Sequence, residues 1–355
     1  MPRIIQPVVS PRGRVIVLTG ATLWLIAAML LSAIPEGASA APRATPPESI
    51  RSILVDTIEE IEGAPGLLLF PRMYTGANGR VYIADKGNHR VIRLTENNIR
   101  ADVIYGRKGA GPGELMYPRG VAADRAGNVF VTDQRLQRIF KYAPDGTFLK
   151  SVTAPRVVSV VIDSEDRVIV RPGRGNALLQ RYSNDLEEDV VLLEKTDSQH
   201  SSPLGILMVI DATDRLFLLD QSDLTVKVYD RDMRLVDQWL VDPPQLHETV
   251  AMRLAAARAK SPDLVARVDG VQSMTLDPTG NRLVLAYLVM PAANVKETKI
   301  AWYGVDGTFM GVEDRGEERI FANLILPDGR ILEGSPEHIR VRLKGTATNA
   351  DVENS

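Results

Sequence analysis

The sequence predicts an all-β fold, a six-bladed β-propeller that carries one small helical insertion. An apolar strand that ends in aspartate recurs as VYIAD, VFVTD and LFLLD, at Asp85, Asp133 and Asp220. A first apolar strand followed by aspartate recurs at Asp124, Asp163, Asp211 and Asp277, and a third strand follows the second in each unit. Six such units recur at intervals of about 40 to 50 residues, which is the period of propeller blades.

The clearest unit, residues 116–149, shows why the strands need neighbours. Gly127-Asn128 and Asp145-Gly146 carry tight-turn chemistry between short β-branched and aromatic runs. This pattern predicts four antiparallel strands in a meander. Such a sheet has two apolar faces and cannot bury both alone, so its copies are expected to pack side by side.

The motifs of this unit resemble the NHL-repeat propellers of bacterial exported proteins. The resemblance rests on Pro118-Arg119-Gly120-Val121-Ala122, Asp124, Gly127-Asn128, Asp133 and Arg138, and on the Asn88-His89 pair of the preceding copy. The glycine-rich loop at 106–114 is also similar to a loop in six-bladed propellers of this type. The resemblance implies a fold and a face that presents a binding site, and it does not imply one reaction.

The chain divides into four parts by composition. Residues 1–40 are expected to be a signal peptide or an uncleaved N-terminal anchor, and residues 41–50 a linker rich in Pro and Ala. Residues 51–344 are expected to form the propeller, with the helical insertion at 243–268 between the fourth and fifth blades. Residues 345–355 are small and polar, which is typical of a disordered tail.

The N-terminal segment indicates export. Arginines precede an apolar run at 15–34, and Ala38-Ser39-Ala40 fits the small-residue rule for cleavage. If the run is not cut, it is long enough to span a bilayer. We therefore predict a periplasmic or secreted protein, or one anchored to the membrane by residues 15–34.

Composition excludes several classes of function. The chain has no cysteine, so disulfides, thiol catalysis and cysteine metal sites are excluded, as is a lipoprotein anchor. The formal net charge is −3 and no half is strongly basic, so we expect no nucleic-acid partner. We expect a monomer that meets the membrane only through its N-terminal segment, if that segment is uncleaved.

Three segments fall outside the repeat pattern. Residues 53–58 are extended and apolar without a blade motif, so we expect this strand to complete the last sheet and close the ring. Residues 246–257 place apolar side chains at helical spacing within the 243–268 insertion. This helix is either a packed decoration on a blade or a lid over a binding face. The charged stretch at 185–202 lacks β alternation over its second half, so residues 195–202 are expected to be a loop.

Three blades carry a Pro-Arg pair just before the first strand, namely Pro71-Arg72, Pro118-Arg119 and Pro155-Arg156. Because first strands line the channel of a propeller, we expect these guanidinium groups to ring one channel mouth. The loop that contains Arg107 and Lys108 is expected to enter from the same side. Guanidinium groups bind carboxylate or phosphate through paired hydrogen bonds. The pattern predicts that these five cations bind an acidic peptide, a sugar acid or a phosphorylated group.

A purely structural role for these cations stays open. Each arginine could pair with an acidic side chain of the next blade, or with a loop carbonyl, and so only staple the ring. The glycine-rich loop lacks the Gly-Lys-Ser/Thr of a phosphate loop and leads into a strand. It is therefore interpreted as a connector whose glycines adopt positive φ.

The sequence predicts no catalytic residue and no metal ligand. The four histidines lack metal-site spacing, and His89 and His338 occupy equivalent hairpin positions, which favours structural roles. An aspartate that recurs once per blade before a hairpin is typical of a turn residue. These aspartates are Asp124, Asp163, Asp211 and Asp277.

The predicted function is an exported binding or scaffolding module without a cofactor. Its partner would be a protein or peptide of the cell envelope, or a small anionic ligand at the channel mouth. The alternative is a lactonase-like hydrolase or lyase with a single divalent metal in the channel, because related propellers include such enzymes. A cluster of carboxylate, Asn or His groups in the channel would favour the enzyme, and a mouth lined by arginine and aromatic groups would favour the binder.

Overall fold

The computed structural model describes residues 52–66, 68–95, 100–172, 176–195, 206–221, 223–260, 270–291 and 295–344. The predicted signal segment, linker and C-terminal tail lie outside these residues. So do most of the predicted loop at 195–202 and the end of the insertion at 243–268. Within the described residues, no helix is both long and apolar enough to cross a membrane.

The described strands form six antiparallel sheets of four strands each, which confirms the predicted six-bladed propeller. One α-helix, α1 (Leu246–Lys260), and one short 3₁₀ turn, Lys86–Asn88, accompany them. In chain order the strands are β1 (Ser52–Ile58), β2 (Pro71–Thr75), β3 (Val81–Asp85), β4 (Arg90–Leu94), β5 (Ala101–Tyr105), β6 (Pro118–Ala123), β7 (Val129–Asp133), β8 (Arg138–Tyr142), β9 (Phe148–Thr153), β10 (Ser159–Ile162), β11 (Val168–Arg171), β12 (Ala177–Tyr182), β13 (Glu188–Glu194), β14 (Ile206–Ile210), β15 (Leu216–Asp220), β16 (Thr225–Tyr229), β17 (Leu235–Leu240), β18 (Val271–Leu276), β19 (Arg282–Val289), β20 (Glu297–Gly304), β21 (Phe309–Asp314), β22 (Ala322–Ile325), β23 (Arg330–Gly334) and β24 (Ile339–Lys344).

The ring is closed by strands from both ends of the propeller. Five blades are consecutive meanders, β2–β5 through β18–β21, and the sixth combines β22, β23 and β24 with β1. Strand β1 pairs antiparallel with β24, from Ser52 opposite Lys344 to Ile58 opposite Ile339. The predicted closing strand at 53–58 is therefore confirmed. Its pairing removes the sheet edge that β24 would otherwise expose.

Apolar clusters lie between blades rather than within them. The six clusters of buried side chains each draw residues from two adjacent blades. Between the first two blades, Tyr82, Tyr105 and Tyr142 pack with ring centroids 6.3 and 5.8 Å apart. Each sheet therefore buries its two apolar faces only against its neighbours, which is the physical basis of the repeat.

The aspartate that ends the second strand organises the connection that enters its blade. Asp133 is fully buried, and its Oδ2 accepts the backbone N–H groups of Met116 and Tyr117, both at 2.7 Å. Its Oδ1 accepts the N–H groups of Arg135 and Leu136 at 3.0 and 2.8 Å. At Asp133, the aspartate that recurs at the end of VYIAD, VFVTD and LFLLD therefore accepts backbone N–H groups from the segment before the first strand and from the turn after the second strand.

The hairpin aspartates are turn residues, as predicted. In each case one Oδ1 accepts the backbone N–H four residues later, at 2.8 to 3.0 Å. Gly127 takes the left-handed position of its hairpin at φ 87°, and Asp166 and Asp214 take the same position at φ 58° and 63°. A short polar side chain tolerates this conformation better than most, which explains how weaker repeats keep the same turn.

Helix α1 packs on the end of one blade. It lies between β17 and β18, that is, between the fourth and fifth blades counted from Pro71. If the blade that contains β1 is counted first, these are the fifth and sixth blades. Leu246 is fully buried, and the Thr249 hydroxyl accepts the N–H of Met290 at 3.0 Å. The contacts of Leu246 and Thr249 match the packed decoration that the sequence left open.

Candidate functional site

The propeller has two ends with different chemistry. We call the end where each first strand begins, and where chain passes from blade to blade, the connector face. The opposite end, where each first strand turns into the second, is the hairpin face. Between the two faces runs a central cavity of about 710 Å³ with walls formed by the first strands of all six blades.

Two of the predicted cations come together at the connector face. Arg72 lies on the cavity wall, and its guanidinium group has no hydrogen bond or ion pair to any residue that the structure describes. Arg119, on the neighbouring first strand, donates from Nη1 to Oε1 of Gln134 at 3.1 Å. The carbonyl of Arg119 accepts the hydroxyl of Tyr74, so the two strands are linked beneath the guanidinium groups. Burial raises the pKa of Tyr74, and the positive charges of Arg72 and Arg119 oppose this shift.

A third cation, Lys86, lies beside these arginines. Its Nζ is 5.0 Å from the ring centroid of Phe70 and 4.8 Å from that of Tyr117. Both rings are exposed, at 45% and 36%. Burial lowers the pKa of Lys86, Tyr117 opposes this shift, and Arg72 and Arg119 lower it further. A bound anion would stabilise the charged form of a lysine that lies between two rings and beside two like charges.

The aromatic surface continues onto the sixth blade. The ring of Phe321 lies 6.2 Å from that of Phe70, and the guanidinium of Arg319 lies 5.3 Å from the Phe321 centroid. We call the set formed by these residues and the three cations the basic–aromatic sector. Its members are Phe70, Arg72, Lys86, Tyr117, Arg119, Arg319 and Phe321.

The sequence contained a signal for this sector that the Pro-Arg pairs alone did not reveal. In the two blades that contribute a Pro-Arg pair to the sector, an aromatic residue precedes that pair, as Phe70-Pro71-Arg72 and Tyr117-Pro118-Arg119. In the third blade the preceding residue is Ala154. The aromatic-Pro-Arg triplet therefore distinguishes the two arginines that enter the sector from the one that does not.

Arg156 does not share the register of the other two arginines. Ser159 of the third blade is equivalent to Gly120 of the second, because Ser159 pairs with Arg171 and Gly120 pairs with Thr132. Each of these two residues also stands four positions before the hairpin aspartate of its blade, Asp163 or Asp124. Pro155-Arg156 therefore lies two residues upstream of the position that Pro118-Arg119 occupies. Arg156 is exposed in the preceding turn at φ 52°, outside the cavity wall. Of the three arginines expected at the mouth, Arg72 and Arg119 lie close together beside Lys86, and Arg156 lies apart from them. Ligand binding by any of the three stays a prediction.

Arg107 and Lys108 lie on the connector face but not on the cavity wall. Arg107 is 82% exposed and donates from Nε to Oε1 of Glu114 at 3.1 Å. The other carboxylate oxygen accepts the N–H of Gly111 at 2.8 Å, and these contacts hold the pKa of Glu114 below its usual range. The loop is thus closed on itself, as expected of a connector, while Lys108 is exposed. Ligand binding by either cation stays a prediction.

The described histidines make local contacts. His89 Nδ1 lies 2.6 Å from the carbonyl of Met116, at the end of the 3₁₀ turn. His338 stands at the matching place in the sixth blade, just before the third strand. Across the described ranges, no group of three or more His, Asp or Glu side chains could hold a metal ion.

Comparisons with known proteins identify the fold and no family. No family model matches this chain. No curated protein matches it either. The NHL-repeat resemblance therefore stays a prediction.

Several solved structures share the fold at low identity. A member of the DUF4221 family from Bacteroides vulgatus is 10% identical with a TM-score of 0.58, over 84% of this chain and 99% of that one. A presumed exported protein from Bacteroides fragilis is 10% identical with a TM-score of 0.54, over 84% and 95%. Virginiamycin B lyase from Staphylococcus aureus is 14% identical with a TM-score of 0.47, over 76% and 79%. Likeness at this level of identity extends to the fold alone.

Proposed function

We propose that this chain is an exported binding module whose basic–aromatic sector accepts an anionic ligand, such as an acidic peptide or a group that bears carboxylate or phosphate. The observation that carries the proposal is the placement of Arg72, Lys86 and Arg119 within electrostatic reach of one another at a channel mouth. An anion that lies between neighbouring cations is stabilised by each of them.

A comparison with other arginines supports binding over stapling. Arg167 and Arg215 each donate from Nε to the aspartate of their own hairpin at 2.7 Å, as a structural staple would. Arg72 has no such hydrogen bond or ion pair among the described residues, although it lies on the cavity wall. The apolar lining of the channel and its arginine and aromatic mouth also favour a binder over the metal-dependent enzyme. Export is supported by the basic, apolar and small-residue order of residues 1–40.

Replacing Arg72 and Arg119 by glutamine tests the proposal. The Arg72→Gln, Arg119→Gln double variant is expected to bind a tri-glutamate peptide at least about tenfold more weakly, because two charge-assisted contacts are lost. Calorimetric titration of residues 41–355 measures this. Arg156→Gln is the matched control, since it removes an exposed arginine of the same motif outside the sector, and its affinity is expected to stay unchanged. A double variant that binds normally but melts at lower temperature would show that these arginines only staple the ring.

Anion affinity is also expected to depend on pH through Lys86. In the protein without ligand, the pKa of Lys86 lies below that of an ordinary lysine, and a bound anion would raise it. Between the pKa of the unbound state and that of the bound state, binding therefore takes up a proton. Affinity should therefore fall as the pH rises through the pKa of the free protein. Titrations between about pH 7 and about pH 10 measure this, because arginine keeps its charge over that range. Lys86→Met should bind more weakly and lose this dependence, and a Lys86→Met profile that matches the unaltered protein would contradict the assignment.

A further inference from the structure

The chemistry of the central cavity beneath the sector indicates a more specific class of ligand. This inference rests on the proposed function. Its volume of about 710 Å³ falls within the range of small-molecule pockets. Arg72 belongs both to the cavity wall and to the basic–aromatic sector. A ligand held by its anionic group at Arg72 would therefore continue directly into the cavity.

The walls of this cavity are largely apolar side chains. Half-buried wall residues inside the ring include Val161, Leu207, Val209, Ile210 and Leu276. Methionines from three blades, Met73, Met208 and Met274, also line it. Water gains few side-chain hydrogen bonds along such walls, whereas an apolar body that covers them is favoured in proportion to the area buried. Methionine side chains can adjust to the shape of such a body.

Charge is distributed unequally along the channel. At the hairpin face the wall includes Asp163, Asp211, Asp214 and Asp277, together with Arg125. These carboxylates accept hydrogen bonds from turn N–H groups, and Asp214 also accepts those of Ser164 at 2.7 and 2.5 Å. The cations of the hairpin face are already paired, Arg125 with Asp166, Arg167 with Asp163 and Arg215 with Asp211. At the connector face, by contrast, the guanidinium group of Arg72 has no carboxylate partner among the described residues. An anion is thus directed to one end only.

We propose that the ligand is an amphiphilic anion of the fatty-acid type, with one carboxylate at Arg72 and an unbranched apolar chain along the channel. The first strands have four to six residues, which gives a wall about 13 to 20 Å long at about 3.3 Å per residue. This length accommodates an extended chain, and the carboxylate would remain at the mouth, within reach of Lys86 and Arg119.

A homologous series of carboxylates tests this inference. Hexanoate, octanoate and decanoate, kept below micelle-forming concentrations, are titrated into residues 41–355. Affinity is expected to rise about fourfold for each added methylene, as burial of that group predicts. Decanol and decyltrimethylammonium should bind at least about tenfold more weakly than decanoate, because neither pairs with a guanidinium group.

Two variants test the carboxylate end and the apolar end of the ligand separately. Arg72→Gln should weaken every carboxylate by a similar factor and leave the increase per methylene intact. Thr75→Trp adds bulk at an exposed wall position near the hairpin face, so it should weaken decanoate and leave hexanoate unchanged. Decanoate binding that neither variant weakens would overturn the inference.

The outcomes distinguish this inference from the proposed function. If tri-glutamate binds in an Arg72-dependent way while carboxylates show no effect of chain length, the amphiphile is overturned and the anion site stands. If neither tri-glutamate nor any carboxylate binds, the proposed function fails together with the inference.

Discussion

Replacing Asp133 by alanine is expected to lower the free energy of unfolding by about 3 to 5 kcal/mol. The carboxylate is fully buried and accepts four backbone N–H groups at 2.7 to 3.0 Å. Alanine leaves all four donors without their acceptor, and each charge-assisted bond of this kind contributes about 1 kcal/mol or more. Urea unfolding of residues 41–355, followed by tryptophan fluorescence, measures the change.

The same substitution is expected to weaken the candidate site. Asp133 holds the backbone of Tyr117, whose ring contacts Lys86, so anion affinity should fall even at temperatures where Asp133→Ala stays folded. Asp145→Ala is the control, because Asp145 accepts the N–H of Thr147 in an exposed hairpin of the same blade. Its effect on stability and on binding should be much smaller. Equal effects of the two substitutions would contradict the role given to the buried aspartate.

The fold could be predicted from the sequence because its determinants are local and repeated. Gly127-Asn128 and the aspartate before it specify a hairpin within a few residues, and the buried aspartate that ends the second strand specifies the connection to the blade before it. Closure by residues 53–58 was predictable for a different reason. A strand without a blade motif of its own needs a partner, and the last blade needed a fourth strand.

The position of Arg156 could not be predicted from its motif. Whether a Pro-Arg pair faces the channel depends on how many residues separate it from the start of the strand, and this number differs between blades. The sequence shows the pair but not the pairing partner of each strand residue. A shift of register changes the direction and environment of every side chain involved.

The place of Lys86 depends on contacts between segments that are distant in sequence. Lys86 follows β3, and the aromatic rings on either side of it come from the segments before β2 and β6. Phe321 reaches the same surface from the sixth blade only because the ring closes. Sequence reasoning identified Arg72 and Arg119 from a local motif and missed the lysine between them, since only the ring geometry brings these segments together.

Replacing Glu333 by alanine is expected to destabilise the propeller by about 3 to 5 kcal/mol. Glu333 is fully buried and accepts Nε of Arg315 at 2.7 Å and Nε of Arg342 at 2.8 Å. The side chain of Arg315 is only 3% exposed, and it also pairs with Glu313 at 3.0 Å and donates to Ser52 of the closing strand at 2.9 Å. Among the described carboxylates, removing that of Glu333 leaves Arg315 with only Glu313 and Arg342 with only Glu318, so two buried charge-assisted contacts are lost at once. This loss costs more than a surface ion pair contributes.

Asp328→Ala provides the matched comparison on the same blade. Asp328 pairs with Arg330 at 2.7 Å, but these side chains are 52% and 25% exposed, so its loss should cost less than about 1 kcal/mol. Adding Arg315→Leu to Glu333→Ala should cost less than Arg315→Leu alone, because its ion pair with Glu333 is already lost and only its contacts with Glu313 and Ser52 remain to be removed. If the two single substitutions destabilise equally, or if Arg315→Leu makes Glu333→Ala worse by its full independent cost, the network does not lock the closing blade to its neighbour. In that case the ladder between β1 and β24 would remain the main tie between the two ends of the ring.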